Sequence, residues 1–82
     1  MPYTSAMKVF IICRQRYEED GKTEYGAVQF RTIDAGWSEL KEYAAIFTEA
    51  HSNYVSEKLQ LKANVNKEKV KFFPKEVDAI NA

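Results

Sequence analysis

The residue types that most often carry out catalysis or bind metals are scarce in this sequence. Cys13 is the only cysteine and His51 the only histidine. A nucleophilic cysteine needs a lowered pKa and a neighbouring base, whereas Cys13 ends the apolar run at residues 9–13 and is expected in the core. A protein zinc site needs three or four Cys, His or carboxylate ligands close together. The sequence therefore predicts neither a nucleophilic cysteine nor a metal site.

The carboxylates and glycines do not form a catalytic pattern either. The acidic residues at positions 18–20 belong to a predicted turn, and Glu39 and Glu42 belong to the solvent side of a predicted helix. Paired carboxylates act as acid and base only where burial separates their pKa values. The three glycines are isolated, so there is no glycine-rich phosphate loop. We therefore expect a protein that is not an enzyme and binds no cofactor.

Length and composition limit the architecture to one small domain. The chain has 82 residues, of which 45% are hydrophobic and 13% aromatic, as in a folded globular protein. We expect residues 1–6 to be a flexible N-terminal extension and residues 7–82 to be a single domain. A lone cysteine cannot form an internal disulfide, and no apolar run approaches the roughly 18 residues of a membrane span. A cytoplasmic location is therefore expected.

The first half of the domain is predicted to begin with a β-hairpin. Residues 8–17 and 23–33 are typical of strands, and the Asp-Gly pair at residues 20–21 is typical of a two-residue type I′ turn. This turn would place Cys13 opposite Val28, on a face with further apolar residues. That face is expected to pack against the core.

One helix and a second hairpin are predicted in the rest of the chain. Apolar residues recur at helical spacing over residues 36–55, and residues 59–65 alternate like a strand. Residues 70–73 continue this pattern after a turn, and Pro74 is expected to end the strand. The predicted fold is α+β with two layers. It consists of a four-stranded, mainly antiparallel sheet in the order β-β-α-β-β with one amphipathic helix on one face.

The sheet face turned away from this helix is predicted to be open and to combine basic with aromatic side chains. Exposed lysines can serve only solubility and edge protection, but apolar neighbours in mid-strand form a patch that usually has a cover. The opposite side of the molecule would carry the glutamates of the helix. The candidate partner-binding residues on the open face are Phe10, Ile12, Arg14, Arg16, Tyr25, Arg31, Lys62, Lys69, Lys71 and Phe73.

The net charge of zero conceals an uneven distribution of charge along the chain. Residues 1–16 carry +3, residues 17–57 carry −6, residues 58–75 carry +5, and the last seven residues carry −2. Basic and acidic segments therefore alternate along a chain that is neutral as a whole. This separation of charge opposes strong, indiscriminate attraction to polyanions but allows binding in one orientation.

These features predict a small binding protein that docks its basic and aromatic face on a protein partner, acidic at the contact, as an inhibitor, adaptor or regulator. Small proteins of bacteriophages and mobile elements often act in this way, and such an origin is our working expectation. The first alternative is binding of single-stranded RNA or DNA, in which lysines and arginines contact phosphates and aromatic rings stack on bases. The second alternative is a structural homodimer in which the two sheets pack through Phe10 and Ile12.

Overall fold

A computed structural model describes residues 8–77 and contains a four-stranded antiparallel sheet with one α-helix. The elements are β1 (Val9–Tyr17), β2 (Glu24–Arg31), β3 (Trp37–Ser38), a 3-10 turn (Lys41–Tyr43), α1 (Glu49–Val65) and β4 (Val70–Val77). The strands lie in the order β3-β2-β1-β4, and all neighbours are antiparallel. The predicted α+β class is confirmed. The predicted extension at residues 1–6 lies outside the described residues.

The first hairpin forms where it was predicted, but its loop is longer than a two-residue turn. Gly21 has a φ of 73°, whereas Asp20 is not among the residues with positive φ, so the type I′ prediction is wrong. The Asp20 carboxylate instead accepts hydrogen bonds from the backbone N–H groups of Lys22 and Thr23, at 2.8 and 2.9 Å. The loop is therefore held by a side chain as well as by backbone geometry.

The pairing of β1 with β2 contains an irregularity that changes the predicted register. Arg14 lies opposite Gln29 and Arg16 lies opposite Tyr25, so β2 has two more residues than β1 at this point. As a result Cys13 lies opposite Phe30, not opposite Val28 as predicted. Because an insertion of two residues preserves the alternation of side chains, the paired residues on both sides of the irregularity keep their predicted faces in the hairpin.

The helix begins and ends later than the apolar spacing predicted. It starts after Thr48, whose Oγ1 accepts a hydrogen bond from the His51 N–H at 3.2 Å and so caps the first turn. Residues 37–48 form β3, the 3-10 turn and irregular chain instead of a helix. Residues 59–65, predicted to be a strand, form the second half of α1. The second predicted hairpin is therefore absent from the described part of the chain, and the element order is β-β-β-α-β.

The turn between α1 and β4 is a helix C-cap with a left-handed residue. Lys67 has a φ of 59°, the Glu68 N–H donates to the Ala63 carbonyl at 2.9 Å, and the Lys67 N–H donates to the Asn64 carbonyl at 3.0 Å. This pair of bonds is the Schellman motif, which satisfies carbonyls that the helix end leaves free. It directs residues 66–69 back towards the sheet.

Strand β4 continues through Pro74, which was predicted to end it. Pro74 lies opposite Ile12 on an edge strand. Two residues earlier, the Phe72 N–H points away from β1 and donates to Gln60 at 2.9 Å. Residues two apart point the same way in a strand, so the Pro74 nitrogen also lies on the outer edge, where no ladder hydrogen bond is lost.

The helix covers the sheet face that was predicted to be open. It packs mainly on β4 and also on β1, and Val70, Phe72 and Pro74 are buried or half-buried while the alternate residues Lys71, Phe73 and Lys75 are exposed. Val70, Phe72 and Pro74 lie opposite even-numbered residues of β1, which share their face. Two of the latter, Phe10 and Ile12, retain only 9% and 0% of their accessible surface. Their predicted exposure is therefore wrong.

Candidate functional site: an arginine groove beside the helix cap

A groove of about 420 Å³ lies between the β1–β2 hairpin and the turn that follows α1. The hairpin supplies arginine and tyrosine side chains, and the C-cap of α1 supplies lysines from the opposite wall. We call it the arginine groove. Its lining residues are Arg14, Arg16, Tyr17, Glu19, Tyr25, Lys67, Glu68, Lys69 and Val70.

Arg14 is held in position by neutral groups. Its Nε donates to Gln29 Oε1 at 2.9 Å, its Nη2 donates to the same oxygen, and its guanidinium carbon lies 4.5 Å from the centre of the Trp37 ring. Burial lowers the pKa of Arg14, the positive charge of Arg16 lowers it further, and the Glu68 carboxylate partly opposes both effects. The side chain remains cationic at neutral pH. Arg14 therefore presents a positive charge in a fixed position, and a bound anion would stabilise this charge.

Arg16 is held between Tyr25 and a glycine. Its guanidinium carbon lies 5.3 Å from the centre of the Tyr25 ring. Its Nη2 lies 3.0 Å from the point that a Cβ on Gly26 would occupy, and Gly26 has a φ of 78°. The buried Nε of Arg16 has no hydrogen-bond partner among the described residues. The glycine therefore provides both the backbone conformation of the irregular β2 segment and the space for the Arg16 guanidinium.

Trp37 lies beside the groove and contacts two arginine side chains and Phe72. Arg31 lies over the same ring as Arg14, at 5.2 Å, and donates to the Ala35 carbonyl at 3.1 Å. Phe72 packs against Trp37 with 5.5 Å between ring centres. One indole thus supports two guanidinium groups, an arrangement in which each cation is stabilised by the ring despite the repulsion between them.

The electrostatic balance of the groove is positive. Arg14, Arg16, Lys67 and Lys69 contribute four positive charges, while Glu19 and Glu68 contribute two negative ones. The guanidinium groups contact only uncharged partners, namely aromatic rings, the Gln29 amide and the Ala35 carbonyl. Their positive charges therefore remain available to a ligand. A carboxylate can accept two parallel hydrogen bonds from such a group.

The predicted binding residues do not lie on one surface. Arg14, Arg16, Tyr25 and Lys69 line the groove, and Arg31 adjoins it at Trp37. The other five lie elsewhere: Phe10 and Ile12 beneath α1, Lys62 on the exposed side of α1, and Lys71 and Phe73 on the opposite sheet face. The predicted single basic and aromatic face is therefore wrong, although part of it forms the groove.

Two residues that were not predicted contribute to the site: Lys67 lines the groove, and Trp37 supports Arg14 from outside it. The sequence placed Trp37 at the start of a helix, where it is expected to fill the core. Lys67 was expected only as part of a turn. The sequence offered no signal for Lys67, because residues 59–65 were assigned to a strand and the helix end that precedes Lys67 was not predicted.

Other chemistry is limited within the described part of the chain. Residues 8–77 contain no group of three or more His, Cys, Asp or Glu side chains that could hold a metal ion. Burial raises the pKa of the Cys13 thiol, and the nearby positive charges of Lys75 and Lys41 only partly oppose this effect. The reactive thiolate is therefore disfavoured. No helix within residues 8–77 is long and apolar enough to cross a membrane.

Comparison with protein-family models, with curated proteins and with solved structures finds no match to this chain.

Proposed function

We propose that this chain is a small non-catalytic binding protein that holds an acidic segment of a partner protein in the arginine groove. The observation that carries the proposal is the pair of guanidinium groups, Arg14 and Arg16, that rest on Trp37 and Tyr25. Inhibitor, adaptor and regulator are the roles open to such a protein. The single buried cysteine suits a reducing compartment such as the cytoplasm.

The fixed arginines support tight binding of carboxylates. A free arginine side chain loses up to about 2 kcal/mol of conformational entropy when it is immobilised. Arg14 is already restrained by Gln29 and Trp37, and Arg16 by Tyr25. Much of this entropic cost is therefore met in folding, which is how a pre-organised site gains affinity.

The distribution of charge favours an acidic protein segment over a nucleic acid strand. Glu19 and Glu68 lie among the basic groups of the groove and would repel a continuous row of phosphates. Lys71 and Lys75 lie on the other face of the sheet, so they cannot add further phosphate contacts to those of the groove. A short acidic segment needs only the local contacts of Arg14, Arg16 and the two lysines of the C-cap.

Single-stranded nucleic acid is the second candidate, and Tyr25 is the observation that favours it. The Tyr25 side chain is 53% exposed and lies beside Arg16. A base could stack on its ring while the arginine contacts a phosphate.

A direct test compares two labelled probes of equal net charge, an oligoglutamate peptide and a single-stranded oligothymidylate, by fluorescence anisotropy at low salt. We expect the peptide to bind, and the variant Arg14→Gln/Arg16→Gln to weaken this binding at least about tenfold, since one charge-assisted hydrogen bond contributes about 1.5–3 kcal/mol. The matched control is Lys71→Gln/Lys75→Gln, which removes the same charge from the opposite face and should change affinity less than about twofold.

Each result separates the two candidates. Tighter binding of the oligothymidylate, with the steep loss of affinity in salt that phosphate contacts cause, would favour the second candidate. Equal effects of the two double variants would show that binding follows net charge, which contradicts a site in the arginine groove.

A further inference from the structure

The helix α1 fully buries only small side chains and exposes three of its five large apolar ones. Ser52, Ser56 and Ala63 are its buried residues. Tyr54, Leu61 and Val65 are 59%, 62% and 80% exposed. A helix that only covers a sheet shows the reverse arrangement, with large apolar residues facing the core.

The exposed apolar residues form one straight stripe. At about 100° per residue, Tyr54, Lys58, Leu61 and Val65 fall within a narrow arc. The buried serines and alanine lie on the other side of the helix. Lys58 is part of this outer stripe because its Nζ lies over the Tyr54 ring, 5.4 Å from the ring centre, which leaves its aliphatic stem along the stripe.

The spacing of the outer stripe is that of a two-stranded coiled coil. Steps of four, three and four residues place Tyr54 and Leu61 at the d positions of a heptad and Lys58 and Val65 at the a positions. Leucine at d with valine at a favours pairs of parallel helices, and one lysine at an a position fixes register at some cost in stability.

We propose that the outer stripe pairs with the outer stripe of a second copy of this chain, in a parallel two-helix seam. The charges beside the stripe select this occupant and this orientation. Glu57 lies on one flank, at a g position, and Lys62 lies on the other, at an e position five residues later. In a parallel pair these positions face each other, so Glu57 of each copy meets Lys62 of the other and two ion pairs form.

An antiparallel pair would not use these charges. In that orientation each flank faces the same flank of the other helix, so Glu57 meets uncharged Asn64 and Lys62 meets Val55. This seam is independent of the arginine groove, because the outer stripe lies on the side of α1 that faces away from the sheet.

Analytical ultracentrifugation of the full chain tests the proposal. We expect weak, concentration-dependent association from 9.5 kDa to twice that mass. The variant Leu61→Glu should weaken association at least about a hundredfold, since two buried leucines are lost per dimer. The control Leu40→Glu changes a residue that is 52% exposed but lies outside α1, and should leave association unchanged. A wild-type protein that stays monomeric up to roughly 1 mM would overturn the proposal.

Charge exchange tests the orientation. Glu57→Lys alone and Lys62→Glu alone should each weaken association about five- to tenfold, because each creates two like-charge contacts. Mixing the two single variants should restore association close to the wild-type affinity, because each lysine of one copy then faces a glutamate of the other. The double exchange Glu57→Lys/Lys62→Glu should restore it within a single chain, since both facing pairs are again of opposite charge. A double exchange no tighter than either single variant would overturn the parallel arrangement, and circular dichroism of each variant checks that α1 remains folded.

Discussion

Trp37 brings two guanidinium groups of like charge together over one indole ring. Arg14 and Arg31 share its ring. Burial is the main cause of the lowered pKa of Arg14, and the positive charges of Arg16 and, to a smaller extent, Arg31 lower it further. Lysines at these positions would lack the flat guanidinium that stacks on an indole and donates twice to Gln29. Clusters of unrelieved charge are more common at binding sites than elsewhere. The arrangement therefore supports the proposed binding of an acidic ligand in the arginine groove.

Gly26 is the residue on which the position of Arg16 depends most directly. A Cβ at Gly26 would lie 3.0 Å from Arg16 Nη2, and an alanine with a φ of 78° is strained in any surroundings. We expect Gly26→Ala to lower the free energy of unfolding by about 1–2 kcal/mol for the backbone and further for the displaced arginine. Urea unfolding followed by tryptophan fluorescence measures this loss.

Gly21 provides the matched control for Gly26. Its φ is 73°, but nothing lies within 4 Å of the position of its Cβ. Gly21→Ala should therefore show the backbone cost without the steric cost. In an Arg16→Ala background, Gly26→Ala should cost no more than Gly21→Ala. If Gly26→Ala costs as much in that background as in the wild type, the contact with the guanidinium is not responsible.

The sequence could assign the paired residues of β1 and β2 to sheet faces but could not say which face the helix covers. Arg14, Arg16 and Tyr25 share a face as predicted, because the irregularity in β2 adds an even number of residues. Both faces of β1 have apolar residues at their first positions: Phe10 and Ile12 on one, Ile11 and Cys13 on the other. The pattern alone did not distinguish them, and the prediction that the helix covers the face of Cys13 was wrong.

At the scale of elements, the helix was misplaced because its apolar pattern does not mark its buried side. The spacing rule assumes that large apolar residues face the core, whereas α1 packs through Ser52, Ser56 and Ala63. Small side chains let the helix lie close to large residues of the sheet such as Ile12. The signal that marks the true start is Thr48 as N-cap followed by Glu49, which is a helix-start pattern independent of periodicity.

Gln60 links α1 to β4 in the way a neighbouring strand would. Its Oε1 accepts from the Phe72 N–H at 2.9 Å and its Nε2 donates to the Val70 carbonyl at 3.0 Å, so two groups on the outer edge of β4 are satisfied. We expect Gln60→Ala to lower the free energy of unfolding by about 1–3 kcal/mol, because both backbone groups lose their partner. The midpoint of urea unfolding gives the measurement.

Asn64 is the control for Gln60, since it accepts a hydrogen bond from the same amide at 3.1 Å but lies exposed. Asn64→Ala should cost less than about 0.5 kcal/mol. Gln60→Glu, which can still accept from Phe72 but cannot donate to Val70, should lie between wild type and Gln60→Ala. Equal losses for the Gln60→Ala and Asn64→Ala variants would show that the edge of β4 does not depend on this side chain.

At the scale of the whole molecule, the fold divides the basic residues between two surfaces. Segment charges revealed an uneven distribution along the chain, but β4 turns alternate residues to opposite faces, so Lys71 and Lys75 lie away from Arg14 and Arg16. The number and type of layers followed from length and strand patterns. The pairing of β1 with β4, which places the last strand beside the first, depends on contacts between distant residues that no local pattern encodes.

Titration of the whole molecule should show loss of stability at both ends of the pH scale. Hydrogen bonds from the Thr23 and Lys22 backbone hold the pKa of Asp20 below its ordinary value of 3.8, and the Thr32 hydroxyl does the same for Asp34. A carboxyl with a lowered folded pKa stabilises the fold above its unfolded pKa, and that stability is lost as pH falls through the folded pKa. The raised pKa of Cys13 acts oppositely, so its contribution is lost as pH rises beyond 9.0.

Thermal unfolding followed by circular dichroism between about pH 2 and 10 checks this expectation. We expect the unfolding temperature to fall below about pH 4 in the wild type. In Asp20→Asn/Asp34→Asn the same fall should be shallower, because asparagine keeps a side-chain oxygen as acceptor but has no charge to lose. Cys13→Ala should remove part of the alkaline loss while leaving the acid limb unchanged. The unfolding temperature could instead fall equally steeply with decreasing pH in the wild type and in the double asparagine variant. That result would show that these two turns do not determine the stability of the fold in acid.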